Sequence, residues 1–228
     1  ANFSDVKTQL TTLFQHINYY NPSFKAPTVI TVLTNIDYEN RVVYADSLLL
    51  ISLDVYLGKT HRFYNGYPSY IKHNNHKNHI VIDVANTLIS KQFKPIRDRR
   101  FIYKMIEEGK KQYILNRYLP IISEEEKWGI PKEKLVWAQE NEMQIWQYFI
   151  EKKVLYSSER SLEKRFLDLA PFSKFYLSQD NKSPGRIGVW MGTQIVTSYM
   201  NKHDVSLQEL IRLDAQKLFN KSMYKPKK

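Results

Sequence analysis

The sequence predicts an α+β fold, a small N-terminal mixed sheet with helices followed by a mostly α-helical C-terminal part, and three observations predict it. β-Branched and aliphatic runs crowd the stretch between Pro27 and Gly58. From Ile80 onward the apolar periodicity is helical almost to the end, in pieces near 80–92, 99–118, 132–150, 159–167, 185–202 and 206–219. Prolines at 95, 120, 131, 171 and 184 separate those pieces. The chain reads as a single domain over 1–228, with a strand-containing lobe over 1–79 and a helical lobe over 80–228.

The elements follow in order. Phe3 to Tyr20 places Val6, Leu10, Leu13, Phe14 and Ile17 on one helical face, with Asn21-Pro22 as the stop. Thr28 to Thr34, Arg41 to Tyr44 and Leu48 to Val55 read as three strands of a mixed or antiparallel sheet. A helix over Ile80 to Lys91 puts Ile80, Val81, Val84, Ala85 and Leu88 on one face and Asp83, Asn86, Thr87 and Ser90 on the other. In the next helix, Arg99 to Leu119, Glu108 shares a stripe with Phe101, Met105, Leu115 and Leu119, while Glu107, Lys110 and Lys111 point elsewhere. A carboxylate in an apolar stripe either lies at a solvated helix edge or faces a cleft or a cationic partner, because desolvation alone disfavours its charge.

Composition narrows the function classes. There is no cysteine, which excludes disulfides and thiolate chemistry. No segment approaches the ~18 apolar residues of a membrane span. The formal net charge of +11 is uneven, with basic residues concentrated from Lys91 to Arg117 and again from Lys217 to the C-terminus. That balance admits nucleic acid, anionic lipid or acidic proteins as partners, but no nucleic-acid-binding module is present and the reading takes no nucleic acid. The lysine-rich C-terminus reads as a solvated end.

Three of the seven glycines, Gly185, Gly188 and Gly192, fall within eight residues of one another. Pro184-Gly185 reads as a tight turn, and Gly188 and Gly192 lie one helical turn apart, a cost of up to ~1 kcal/mol each unless another element packs on the bare backbone. The wording of this segment carries more than its spacing. Ser183-Pro184-Gly185-Arg186-Ile187-Gly188, running into Trp190-Met191-Gly192-x-Gln194-Ile195-Val196-x-Ser198-Tyr199-Met200, resembles the gliding-motility lipoprotein B (GldB) family of Bacteroidetes. So do Asp37-Tyr38-Glu39-Asn40, Tyr44-Ala45-Asp46-Ser47, Leu53-Asp54-x-Tyr56-Leu57-Gly58, Phe63-Tyr64-x-Gly66 and Asp83-Val84-Ala85. The resemblance continues through Glu108-Gly109-Lys110-Lys111, Trp137-Ala138-x-x-Asn141-Glu142-x-Gln144-Ile145-Trp146, Ala170-Pro171-Phe172-Ser173-Lys174-Phe175-Tyr176 and Phe219-Asn220-Lys221-Ser222-x-Tyr224-Lys225-Pro226. It implies a cell-envelope lipoprotein exposed to the periplasm, with a signal peptide and a lipid-modified cysteine ahead of Ala1. It further implies protein partners in the gliding and type IX secretion apparatus, with gliding-motility protein C among them by family association.

The same family is distantly similar to the zincin metallopeptidases, in which a His-Glu-x-x-His helix supplies two zinc ligands and the general base, and a Glu on the next helix supplies the third ligand. That likeness implies a zincin-like fold with a candidate cleft at Asp83, Asn86, Thr87 and Glu108, where Glu108 matches the third ligand. The first helix departs from the motif, reading Asp83-Val84-Ala85-Asn86-Thr87 where the imidazoles and the base belong. Zinc hydrolysis by the usual route needs those groups, so the site reads as degenerate and the protein as a non-catalytic domain that binds protein partners, taking no metal and no cofactor. Asp83, Thr87 and Glu108 offer Ca²⁺ or Mg²⁺ fewer oxygens than calcium prefers. The alternative is a metal-dependent, peptidase-like hydrolase rebuilt around Asp83, Thr87, Glu108 and a histidine of the 73–79 stretch.

His73-x-x-His76-x-x-His79 spaces three imidazoles at threes among Asn74, Asn75, Lys77 and Asn78, which reads as a solvated polar loop with adventitious affinity for nickel or zinc. Glu124, Glu125, Glu126, Glu140 and Glu142 read as solvated helix-start or helix-surface charge. Trp137, Trp146 and Trp190, with Arg186, form a candidate docking surface of the aromatic-plus-arginine kind, although aromatics at helical spacing are usually core.

Overall fold

The computed structural model describes residues 3–96 and 98–227. Its contacts divide the chain into two units, residues 1–93 with 115–129, and residues 94–114 with 130–228.

In the first unit, helix α1 (Ser4–Tyr20) buries Val6, Leu10, Leu13 and Ile17 of the stripe that its periodicity prescribes, and leaves Phe14 half-buried. The sheet follows as β1 (Thr28–Val32), β2 (Val42–Ala45) and β3 (Leu48–Ser52). Strand order is β1-β3-β2, with Thr28 opposite Leu48 in parallel pairing and Val42 opposite Ile51 in antiparallel pairing, so the sheet is mixed. The β2–β3 hairpin closes through Asp46 and Ser47, both at positive φ, the turn that matches strand twist. β3 is the central strand and buries Leu49, Ile51 and Ser52.

After β3 a short turn, α2 (Ser69–Lys72), leads toward α3 (Ile80–Ser90). α3 packs against β2 and α1 and buries Ile80, Val81, Ile82, Val84, Ala85, Leu88 and Ile89. The helix that begins at Ile80 therefore belongs with the strands, and the division between units runs through α4 (Phe101–Tyr118) rather than at residue 79. α5 (Glu124–Trp128) completes the first unit; Ser123 accepts from the Glu126 amide at its start, and Gly129 at φ 63° ends it.

The second unit contains the start of α4, then α6 (Lys132–Glu140), α7 (Glu142–Glu151), α8 (Ser161–Phe166), α9 (Ile187–Met200), α10 (Leu207–Arg212) and α11 (Ala215–Ser222). Each of the pieces predicted at 132–150 and 206–219 is two helices. The first breaks at Asn141, and the second at Leu213-Asp214, where the Asp214 carboxylate accepts from the Lys217 amide and starts α11. α10 begins with a capping box between Ser206 and Glu209. The first amides of α4 donate to the Ser157 and Leu155 carbonyls, at 2.9 and 2.8 Å.

The glycine-rich segment is explained by close backbone approach. A methyl on Gly192 would fall on the Met105 carbonyl, and one on Gly109 would fall on the Gly192 backbone, so α4 and α9 cross with main chain against main chain. Gly185 fits beneath the Ala170 carbonyl, and Arg186 rather than the glycine takes the left-handed conformation, at φ 60°. Ser173 locks this turn, its hydroxyl donating to the Pro184 carbonyl at 2.8 Å and accepting from the Ile187 amide at 3.1 Å. The Lys134 ammonium caps three loop carbonyls, those of Pro171, Asn181 and Ser183.

Gly192→Ala is expected to destabilise the protein by about 2 kcal/mol or more, because overpacking against a carbonyl has no side chain to move aside. Gly66→Ala, where an added methyl meets nothing within 4 Å, is expected to shift stability by no more than about 0.5 kcal/mol. Urea denaturation followed by far-ultraviolet circular dichroism checks both.

Candidate functional site

α3 presents Asp83, Asn86 and Thr87, each half-buried, on the face opposite its core stripe. Asp83 is the hub. Its Oδ2 accepts from the Tyr56 hydroxyl at 2.8 Å and from Arg41 Nη1 at 3.2 Å, and its Oδ1 lies 3.6 Å from His79 Nε2. Arg41 enters from the start of β2 and donates through Nε to the Tyr38 carbonyl at 3.0 Å. The loop that carries Tyr38 is shaped by Asp37, which accepts from the amides of Glu39 and Asn40. Tyr56 stands at the end of a 3₁₀ turn, Leu53–Val55, whose Asp54 carboxylate gathers the amides of Thr34 and Ile36. Asn35 and Ile36 are both held at positive φ in that loop.

Burial and the adjacent Asp83 charge push the Tyr56 phenol far above its ordinary range, so it remains a hydrogen-bond donor. Burial likewise lowers the His79 imidazole below its usual value, although Asp83 opposes the shift; Arg41 and His76 reinforce it. Asp83 is thus a carboxylate already neutralised by a guanidinium.

Glu108 belongs to the second unit, partly exposed on α4 and paired with Lys111 at 2.6 Å. The carboxylate has the cationic partner that one of the readings of its stripe called for. Two of its neighbours do not point to solvent. Lys110 is fully buried, its ammonium donating to Glu107 Oε1 and to the Leu213 carbonyl, and burial raises Glu107 above the ordinary carboxylate range against the pull of Lys110. Helical projection missed the pair because α10 and its exit cover that side of α4. Arg186 lies within the field of Glu108, but burial lowers its pKa by more than that carboxylate raises it.

Among the docking residues, Trp190 is only 4% exposed and is part of the core, because the close crossing of α4 and α9 buries nearly every face of α9. Trp146 is half-buried against Phe219 and Tyr224. Trp137 lines a cavity of about 340 Å³ with Ile145, Tyr148, Phe175 and Leu177. Next to it, Tyr176 at 74% and Leu177 at 61% exposure stand in solvent, with the Arg165 guanidinium 4.5 Å from the Tyr176 ring centre. Sequence reasoning followed tryptophans at helical spacing and passed over Tyr176-Leu177, whose signal is an aromatic-aliphatic pair in the irregular stretch after Pro171.

Two further expectations are corrected. Glu142 is 3% exposed and accepts from the Tyr224 hydroxyl at 2.7 Å and the Lys227 amide at 3.2 Å, which fastens the C-terminal segment that read as a solvated end. The histidine tract is not a uniform polar loop. His73 ends α2 half-buried, His76 forms an antiparallel bridge with Leu57, and His79 is 4% exposed at the entry to α3. His76, His79 and Glu126 offer ligand atoms within 4.8 Å of one another, and Glu126 had read as solvated charge.

The family model for gliding motility protein GldB, a lipoprotein family, matches residues 1–226, and the chain belongs to that family. No curated protein and no solved structure matches it significantly.

Arg41→Ala is expected to cost about 1–3 kcal/mol, since it strands a partly buried carboxylate. Adding Asp83→Asn is expected to recover part of that loss, so the double variant is more stable than the sum of the singles. A double-mutant cycle on chemical denaturation midpoints measures the coupling.

Proposed function

We propose that this GldB-family chain is one non-catalytic, zincin-like domain that supports gliding motility and the associated secretion machinery by binding protein partners at the periplasmic side of the envelope. Family membership supports the association with gliding motility, and gliding-motility protein C is the partner we propose. Among the described residues no helix is long and apolar enough to cross the membrane, which agrees with attachment through a lipid.

The observation that carries the non-catalytic part of the reading is the company of Asp83. In a zincin this position offers an imidazole lone pair to zinc. Here it is a carboxylate tied to Arg41 and Tyr56, and the guanidinium already supplies the positive charge. Val84, where the general base would stand, is buried hydrocarbon, and Thr87 offers a hydroxyl where the second imidazole would be. The docking part rests on Trp137 lining a cavity beside the exposed Tyr176-Leu177 pair, with Arg165 stacked on Tyr176. The alternative, a hydrolase rebuilt around Asp83, Thr87, Glu108 and a histidine of the 73–79 stretch, makes the opposite forecast for the same variants.

In a gliding bacterium deleted for its own family member, chains carrying Thr87→Ala or Glu108→Gln are expected to restore colony spreading, and Leu177→Asp with Tyr176→Ser is expected to abolish it at equal protein level. Loss of spreading in the Glu108→Gln strain, together with metal-dependent peptide cleavage by the purified wild-type chain, would replace the binding reading with the hydrolase.

A further inference from the structure

The structure assigns His76, His79 and Glu126 to a single binding site for a divalent metal of the zinc type, built inside the first unit and separate from the positions where a zincin would hold its metal. The three side chains bring ligand atoms within 4.8 Å of one another. His76 Nε2 and Glu126 Oε2 are already 3.6 Å apart, close to the roughly 3.3 Å that separates two ligands on a tetrahedral zinc with bonds of about 2.0–2.1 Å. Two imidazoles and one carboxylate are a donor set that suits zinc, and three protein ligands leave a fourth position to water.

Each ligand is positioned by something other than the site itself. His76 is held by its bridge to Leu57, and the Asn75 carbonyl before it accepts from the Gly58 amide at 2.8 Å. His79 closes a 3₁₀ turn, with its amide donating to the His76 carbonyl at 2.9 Å, so the two rings come from consecutive turns of one chain segment. Glu126 comes from α5, and α5 is seated on the histidine segment: a side chain at Gly129, the residue that ends α5, would collide with the Asn74 amide.

His79 supplies an independent sign that a ligand belongs here. Its ring is buried, its Nε2 faces Asp83, and the remaining nitrogen, Nδ1, is buried with no hydrogen-bond partner. An unsatisfied ring nitrogen in the interior is costly and uncommon. An imidazole nitrogen without a hydrogen-bond partner is free to ligate, and a carboxylate 3.6 Å from the other nitrogen is the kind of support such a ligand usually has. The charged or titratable groups that act on His79 are Asp83, Arg41, His76 and Glu126. His73 contributes no ligand atom to the cluster. Spacing alone had joined it to the other two histidines, whereas the fold replaces it with Glu126 from α5.

The site goes beyond the partner-binding reading and does not rest on it. The test uses the untagged full chain, stripped with a chelator and titrated with zinc against a chromophoric competitor. One equivalent is expected to bind and to raise the thermal midpoint. Glu126→Gln and His76→Gln, both at partly exposed positions, are each expected to weaken binding about tenfold or more and to remove the thermal shift, with an unchanged circular dichroism spectrum. His73→Gln is expected to bind zinc as the parent does. Cobalt in place of zinc is expected to give the visible bands of a tetrahedral site in the parent and to lose them in Glu126→Gln. Failure to bind one equivalent, binding that survives Glu126→Gln, or equal weakening by His73→Gln, which would mean loop capture by any available imidazole, overturns the assignment.

Discussion

Main-chain contact between α4 and α9 at Gly109 and Gly192 is the constraint on which the second unit depends. Helices ordinarily stand about 8–10 Å apart, with side chains between them. Here the backbone of one lies on the carbonyl of the other. Several otherwise costly features follow from that approach. α9 is buried on nearly every face, including Trp190, and its N-terminus must be fed by a turn tight enough to exclude side chains at Gly185. The turn needs Ser173 to satisfy it from one side and Lys134 to collect its carbonyls from another. Beside Gly109, Lys110 is driven fully inside, where Glu107 and the Leu213 carbonyl are the groups that make its charge tolerable.

These contacts also explain why several sequence motifs travel together. Ala170-Pro171-Phe172-Ser173 and Ser183-Pro184-Gly185-Arg186 are distant in the chain but form one hydrogen-bonded unit. Asn141-Glu142 and Tyr224-Lys225-Pro226 are joined through the Glu142 carboxylate, with the Tyr224 hydroxyl also 3.1 Å from Met191 Sδ. In each case one polar group satisfies another that burial would otherwise leave unpaired.

The first unit is organised around a charge. Asp83 is held by Arg41 and Tyr56, and backs His79, so a single carboxylate links β2, the turn after β3, the histidine segment and α3. A partly buried carboxylate without a partner would be costly. Here Asp83 is paired with Arg41 and Tyr56, so it serves as a structural hub. The same carboxylate lies 3.6 Å from His79 Nε2, so the hub adjoins the His76, His79 and Glu126 cluster.

The sequence by itself determined what short-range periodicity and local chemistry can encode. The buried and outer faces of α3 are those its pattern prescribes, α1 buries all of its predicted stripe but Phe14, β1 and β3 fall within their predicted runs while β2 passes its own by Ala45, and the close approach at Gly192 was implicit in glycines that a lone helix would not tolerate. The family, too, was legible in the motifs. Only the tertiary structure decided which way β1 pairs with β3, that α3 joins the strands, that Glu142, Glu107 and Lys110 are interior groups, and that Trp190 is core while Tyr176 and Leu177 are not. It also exchanged His73 for Glu126 in the metal-ligating cluster. For Glu142, Glu107 and Lys110 the physical reason is the same. A charged side chain has the same local sequence signature at the surface as in the interior, and its fate is set by a partner tens of residues away that desolvates it and neutralises it in the same event.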